Sequence, residues 1–431
     1  MNFLKKQSPV RIISLGFALV ILIGSVLLSL PYSIRDGVTL RYIDALYMST
    51  SAVCVTGLLT VDAGDTFTPL GQFFLCMLIQ IGGLGVTAVG TGVILAMGKK
   101  INLKARNLIR EAGNLDSGKG VIRFIRLVFL TTVTFELAGA ALSFLVFRKN
   151  FPPLKAAGVS LFHSVASFNN SGFDILGGGQ NLIPYQDDIL LNLVTCALVI
   201  FGGIGFLVIR EVIAKRFRWK KLSMHAKVVL FMSLVLTAAG TVLLKLTEDI
   251  TWMGAFFTSV SARTAGFSTF PLGSFSGAGL LTVIVLMVIG ASPGSTGGGI
   301  KTTTCYVLFE GIRSSATNTS EKAFRYAVPT DAFRKAAVIT LLAIGIVLSG
   351  TYILVILEPG VPFLDALFEM SSAFGTAGLS TGISAGLCDA AKILTILIMF
   401  IGRLGPLTIA SLWYFTKGER VSYPEGNIAI G

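Results

Sequence analysis

The sequence predicts an all-α polytopic membrane protein, with eight transmembrane helices in four tandem span–half-helix–span pseudo-repeats around a central pore. Three observations carry that expectation: an apolar composition, eight stretches long enough to cross a bilayer, and a short glycine-ended motif that recurs four times. Of 431 residues, 53% are hydrophobic and only 13% charged, with mean hydropathy +0.79, which makes lipid the expected solvent. A span needs roughly 17–25 apolar residues. Stretches of that kind fall near 11–30, 70–98, 122–147, 188–213, 224–245, 278–309, 333–357 and 391–415. The first has the look of a secretory signal, but Pro31 follows it without a small-x-small cleavage pattern, so it reads as a retained span.

The recurring motif reads Val53-Cys54-Val55-Thr56-Gly57, Phe168-Asn169-Asn170-Ser171-Gly172, Ala262-Arg263-Thr264-Ala265-Gly266 and Phe374-Gly375-Thr376-Ala377-Gly378. An aromatic residue stands ten places before each glycine: Tyr47, Phe162, Phe256 and Phe368. Further on, glycine returns at Gly82-Gly83-Leu84-Gly85, Gly202-Gly203-Ile204-Gly205, Gly290 and Gly402-Arg403-Leu404-Gly405. A lone Thr-Gly or Ala-Gly would mean only close helix packing, but matched sets in four places mark one repeated unit. The units are expected at 1–99, 100–218, 219–312 and 313–431, the last including a C-terminal tail.

Each motif closes a segment of about a dozen residues: 43–54, 158–169, 252–263 and 363–374. At 1.5 Å per residue such a helix covers about 18 Å, too little for a hydrocarbon core of about 30 Å. It must enter and return on one side, and its non-helical return is tolerated at depth only when it faces protein or water. Each unit crosses an even number of times, so all four share one orientation and can circle an axis normal to the membrane, unlike inverted repeats. Half-helix C-termini directed at that axis favour a cation, and loops of backbone carbonyls can replace its hydration shell. No acidic residue stands directly before any of the four glycines, and Asp174 lies two places after Gly172 in one repeat only, so the ion is expected to be monovalent. The expected ion-binding residues are Val55, Thr56, Gly57, Asn170, Ser171, Gly172, Thr264, Ala265, Gly266, Thr376, Ala377 and Gly378.

Charge gives the orientation. With eight spans and both termini on one side, that side holds 25 basic and 8 acidic residues, against 8 and 13 opposite. The positive-inside bias therefore puts both termini in the cytoplasm, and the net acidic external face concentrates cations. Glu136, Lys301 and Arg403 fall within the membrane. The net charge of +13 is an orientation signal, and no basic-aromatic surface speaks for nucleic acid. Five cysteines without CxxC or Cys/His spacing argue against a metal site and against disulfides.

Two second spans depart from the pattern. The third carries Pro293 and five glycines between Gly290 and Gly299, so its helix should break at depth and line a cavity. Gly294, Gly297, Gly298, Gly299 and Lys301 are therefore expected to form a movable gate; the plainer reading is a kink with Lys301 snorkelling to the inner surface. In the fourth, Arg403 replaces the glycine of the first two units in an otherwise apolar helix. Its insertion costs at least about 2.5 kcal/mol, so it should face the interior or water, as a barrier below the carbonyls or as an ion pair with Glu136.

Segment 294–302 resembles a phosphate-binding loop, yet Ile300 stands where glycine must precede the lysine. Gly290-Ala291-Ser292-Pro293-Gly294 fits the hydrolase pattern G-x-S-x-G. Ser292 would need a base, however, and His163 and His225 lie at other depths, leaving Lys301 alone. The sequons at Asn169 and Asn318 fall in the returning stretch and in the cytoplasm, and read as chance.

The order of these glycines, segment 294–302 and Met399-Phe400-Ile401-Gly402-Arg403-Leu404-Gly405-Pro406 closely resemble the Trk/Ktr/HKT superfamily of potassium transporters. The likeness runs from the first span to the tail at Tyr423–Gly426 and is strongest to the membrane subunits of bacterial Ktr uptake systems. It implies a plasma-membrane homodimer, each subunit with its own pore, on a cytosolic ring of nucleotide-binding regulatory subunits. The basic loops 99–126 and 210–227 suit that docking. It also implies potassium (K+) as substrate, bound at backbone carbonyls only, no covalent cofactor, and stimulation by sodium. Glycine in all four motifs favours potassium; the uneven residues before them (Thr56, Ser171, Ala265, Ala377) leave a poorly selective sodium/potassium conductor as the alternative.

Overall fold

A computed structural model describes residues 9–96, 120–329 and 331–411. Helices run in the predicted order. The first unit contains α1 (Pro9–Leu28), the half-helix α2 (Tyr42–Cys54), α3 (Pro69–Leu84) and α4 (Val86–Ala96). The second contains α5 (Val121–Phe147), the half-helix α6 (Pro153–Phe168), α7 (Ile189–Ile204) and α8 (Phe206–Ala214). In the third are α9 (Met224–Thr247), the half-helix α10 (Trp252–Ala262), α11 (Gly277–Val288) and α12 (Thr302–Thr317). The fourth has α13 (Ala332–Leu357), the half-helix α14 (Phe363–Gly375), α15 (Asp389–Leu404) and α16 (Pro406–Ser411). A two-residue antiparallel pair, Lys322–Ala323 with Tyr326–Ala327, joins α12 to α13.

Helices α1, α5, α9 and α13 are each long and apolar enough to cross a membrane. Their outward faces stay apolar: Leu130, Leu234 and Leu341 are each 69% exposed, as a lipid-facing surface requires. Their inward faces carry glycine. Gly24, Gly139 and Gly240 leave room for Ser49, Ser164 and Ser259 of the adjoining half-helix. Those hydroxyls donate to the carbonyls of Ile21, Glu136 and Thr237 at 2.7, 2.6 and 2.9 Å. Small residues allow the approach, and the hydrogen bond fixes the depth of each half-helix against its span.

The second spans differ from the sequence expectation. Only the third was expected to break, yet α3 and α4 meet at 102° and α7 and α8 at 98°. The cause is the last glycine of each downstream motif. Gly85, Gly205 and Gly405 have φ of 87°, 96° and 91°, a left-handed backbone that ends the helix at that point. Within the described residues the second spans of the first two units are thus bent pairs, not straight helices, and that of the fourth is interrupted at Gly405, between α15 and α16. Counting each bent pair in the first two units as one span raises the crossing helices from four to six. Most of the basic loop 99–126, the first eight residues and the tail at Tyr423–Gly426 lie outside the described residues.

Candidate functional site

The four half-helices end at a common point. Residues Val55, Asn170, Thr264 and Thr376, each two places before its glycine, have φ of 57°, 59°, 78° and 50°. The glycines themselves, Gly57, Gly172, Gly266 and Gly378, have φ of 95°, 69°, 78° and 82°. The residue between has a negative φ in every case. Three of the first set are β-branched, for which a left-handed backbone is a genuine outlier, held only where the surroundings over-determine it. Alternating handedness turns successive carbonyls toward one side, whereas an extended strand would send them to opposite sides.

The glycines show which side. A Cβ on Gly57 would overlap the Ser171 carbonyl oxygen, and one on Gly172 would lie 2.8 Å from that of Ala265. On Gly266 it would lie 2.8 Å from the Ala377 carbonyl oxygen, and on Gly378 it would overlap that of Thr56. Each glycine thus backs onto the carbonyl preceding the next glycine, and the succession closes on itself. Four stretches from one chain form a ring. The ring borders a cavity of about 400 Å³, lined by Gly57, Gly266 and Gly378 and, beyond them, Asn181, Ser268 and Ser380.

Capping explains why three of the turns are alike. The N–H groups of Thr56, Ser171 and Ala377 donate to the carbonyls of Ser51, Ala166 and Ser372, each five residues back, at 2.7, 2.8 and 2.9 Å. These are the bonds that close a helix behind a left-handed residue. In the third unit the Ala265 N–H reaches only four residues back, to Ser261, at 2.8 Å. That turn is one residue shorter. The aromatic that joins Tyr47, Phe162 and Phe368 in burial is accordingly Phe257, 1% exposed, and not Phe256 at the matched sequence spacing. Relative to its glycine, the third half-helix is therefore offset by one residue from the other three.

The downstream glycines pack against these ends. A Cβ on Gly82, Gly202 or Gly402 would strike the carbonyl of Val53, Phe168 or Phe374, in the last turn of the same unit's half-helix. No side chain fits between. Opposite the cavity, the broken third span crosses beneath the ring. Thr296 N–H donates to Gly202 O at 3.3 Å, Ser292 N–H to Gly203 O at 3.0 Å, and Phe206 N–H to Gly294 O at 3.2 Å. Gly298 N–H donates to Thr376 Oγ1 at 2.9 Å. A Cβ on Gly297 would strike the Thr264 hydroxyl, so the loop passes directly under the third and fourth stretches. Gly299 (φ 68°) and Gly294 (φ 70°) supply its turns, and Gly294 lines a cavity of about 80 Å³ with Gly83 and Gly85.

Two cations hold this loop. Lys301 Nζ donates to the carbonyls of Gly297 and Gly298 at 2.8 and 3.2 Å. It therefore folds back into the loop instead of snorkelling. The Arg403 guanidinium donates to Thr296 O and Gly82 O, with Gly83 O at 3.4 Å, joining the fourth unit, the loop and the first unit. It does not pair with Glu136, whose carboxylate accepts from Asn169 Nδ2 at 3.0 Å and Gln80 Nε2 at 3.4 Å. Ser292 Oγ pairs with Thr302 Oγ1 at 2.9 Å, while Lys301 Nζ, the base left open for it, donates to Gly297 O and Gly298 O, and His163 Nε2 pairs with Thr195 Oγ1 at 2.9 Å.

Sequence reasoning missed several charges within the helices. Asp44 on α2 and Lys392 on α15 form a buried pair at 2.7 Å, joining the first unit to the fourth. Glu369 on α14 is fully buried and accepts from Ser380 Oγ at 2.8 Å and from Ser384 Oγ. Buried Arg263 donates to Thr237 Oγ1 at 2.8 Å. All but Lys392 sit in half-helices or at their ends, and assigning those segments to the external face hid their burial. A charge inside a short segment that must dip into the membrane was the available signal.

Comparison with known proteins agrees with this architecture. A family model described as "TrkH: Cation transport protein" matches residues 11–415. The chain is 37% identical to "Ktr system potassium uptake protein B" of Bacillus subtilis (strain 168), over 98% of this chain and 97% of that one. It is 35% identical to "Potassium/sodium uptake protein NtpJ" of Enterococcus hirae, over 99% and 98%. A crystal structure of the potassium transporter TrkH from Vibrio parahaemolyticus superposes with a TM-score of 0.75 at 19% identity, covering 95% of this chain and 86% of that one, which establishes the shared fold. Matched across nearly its whole length, the chain belongs to the TrkH family of cation transport proteins, a family of transporters and not of enzymes.

Proposed function

We propose that this protein is the membrane subunit of a potassium uptake system and conducts K+ inward through the ring of four returning stretches. The observation that carries the reading is the closed succession in which each glycine backs onto the carbonyl of Thr56, Ser171, Ala265 or Ala377 in the neighbouring stretch. Carbonyl dipoles without a carboxylate suit a bare monovalent cation, and potassium is named in both relatives described above. The membrane potential supplies about 2.3 kcal/mol per charge per 100 mV. Val55, Asn170, Thr264 and Thr376, the residues between, and the four glycines form the selectivity filter in this reading. The loop from Gly294 to Gly299, with Lys301 and Arg403, is the gate: it lies across the axis and is tied there by hydrogen bonds that can be exchanged.

Eight crossings follow if the halves of each second span are joined, with unit limits at 1–99, 100–218, 219–312 and 313–431. The positive-inside bias places both termini in the cytoplasm of a plasma-membrane protein. The word "system" in one relative's name supports a further component, in this reading a cytosolic nucleotide-binding regulatory ring under a homodimer. Sodium is either an activator or a second permeant ion, the latter favoured by the name of the Enterococcus relative. Rubidium uptake into liposomes containing the purified protein tests the reading. Uptake driven by an inside-negative potential and resistant to excess sodium supports a potassium-preferring conductor. Equal competition by sodium supports the less selective reading, and no uptake of either ion refutes both.

A further inference from the structure

The loop that follows the second returning stretch sends one side chain back to the ring. Asn181 Nδ2 donates to the Gly172 carbonyl at 3.1 Å, while its Oδ1 accepts from the N–H groups of Leu182 and Ser268 at 2.9 and 3.1 Å. Two backbone donors addressing Oδ1 fix the amide's orientation, so the nitrogen must face the Gly172 oxygen. The backbone is fixed as well. Asn181 has φ 50°, a conformation that asparagine tolerates, and Leu182 N–H also donates to Ser268 O at 3.1 Å. Asn181 thus spans two neighbouring stretches, gripping the carbonyl of Gly172 in one and the chain two places beyond Gly266 in the other. Among the described residues, no side chain donates in this way to the carbonyls of Gly57, Gly266 or Gly378.

We propose that Asn181 is a positioning residue that anchors the outermost carbonyl of the second stretch and thereby strengthens discrimination against sodium. The inference rests on the proposed conduction path. A ring of carbonyls can favour the smaller ion only by drawing inward around it. An oxygen already bonded to a donor on the loop gives up that bond if it moves toward the axis. The cost falls on the small ion and not on the large one, so the anchor acts on selectivity while leaving conduction of the larger ion possible.

Asn181→Asp retains the two bonds to Oδ1 and the left-handed backbone but removes the donor to Gly172. Asn181→Gly keeps the backbone freedom and removes the side chain altogether. Both are measured by rubidium uptake into liposomes with increasing external sodium. The expected result is that uptake without sodium persists, while the sodium concentration giving half inhibition falls roughly fivefold in both variants, as loss of one neutral hydrogen bond implies. Asn181→Ser, too short to reach Gly172, should match them. Unchanged sodium inhibition in the aspartate variant, with normal uptake, overturns the anchoring role. Failure of the unsubstituted protein to take up rubidium overturns the conduction path instead, so the two failures are told apart.

Discussion

Arg403, at the end of α15, donates to the carbonyl of Thr296 in the loop contributed by the preceding unit. The same guanidinium reaches Gly82 O on α3, so one side chain clamps the loop between the first unit and the fourth. A planar fork can address several carbonyls at once, where an ammonium acts as a point charge. Arg403→Ala should fold, release the loop and raise rubidium uptake about tenfold, in keeping with hydrogen bonds to a charged group worth about 1.5–3 kcal/mol each. Arg403→Lys should fall between. Unchanged flux in the alanine variant would remove Arg403 from any barrier role.

Lys301 offers a second handle on the same loop. Replacing it by methionine keeps the bulk and deletes the bonds from Nζ to Gly297 O and Gly298 O. Uptake should rise, by less than in Arg403→Ala, because Thr296 and Gly298 keep their other partners. A combined variant whose gain does not exceed that of Arg403→Ala would show that the two cations act on one movement and not on two.

The glycine ring predicts a sharp contrast between positions. Gly57→Ser and Gly378→Ser introduce a Cβ that overlaps a neighbouring carbonyl oxygen. Both should lose potassium preference over sodium in competition assays. Gly158→Ala, on α6, meets no atom within 4 Å and should keep uptake and selectivity while gaining up to about 1 kcal/mol of stability. Preserved selectivity in both serine variants would mean that the ring carbonyls do not set ion choice.

Asp44 and Lys392 tie the first unit to the last through a pair whose side chains are 8% and 3% exposed. Removing one partner from such a buried pair costs about 3–5 kcal/mol. Lys392→Met should therefore lower the thermal midpoint in detergent markedly, since Asp44 is left with only the more exposed Arg41. Adding Asp44→Leu should restore most of the loss. A double variant as unstable as the single one would refute the view that an unpaired carboxylate causes it.

Some of this was legible in the sequence and some was not. The four glycines fixed where the half-helices end, because a left-handed turn under backbone contact leaves little other choice of residue. Pro293 and its neighbouring glycines exposed the break in the third second span. The bends at Gly85 and Gly205 and the break at Gly405 were hidden, since a single glycine within an apolar run also suits plain helix packing. The shortened third turn was hidden because Phe256 and Phe257 stand side by side, and either fits an aromatic spacing. Asn181, Lys392 and Glu136 each bond a residue of another unit, Ser268, Asp44 and Gln80, and spacing along one chain carries no record of which distant partner a side chain meets.

The circle of carbonyls closes within a single polypeptide, and its members need not be identical. In an assembly of like subunits every substitution arrives fourfold, so small adjustments of field strength or width are unavailable. Here each codon touches one quadrant. Evolution can tune the aperture in increments, and an experimenter can do the same by dosing one side at a time.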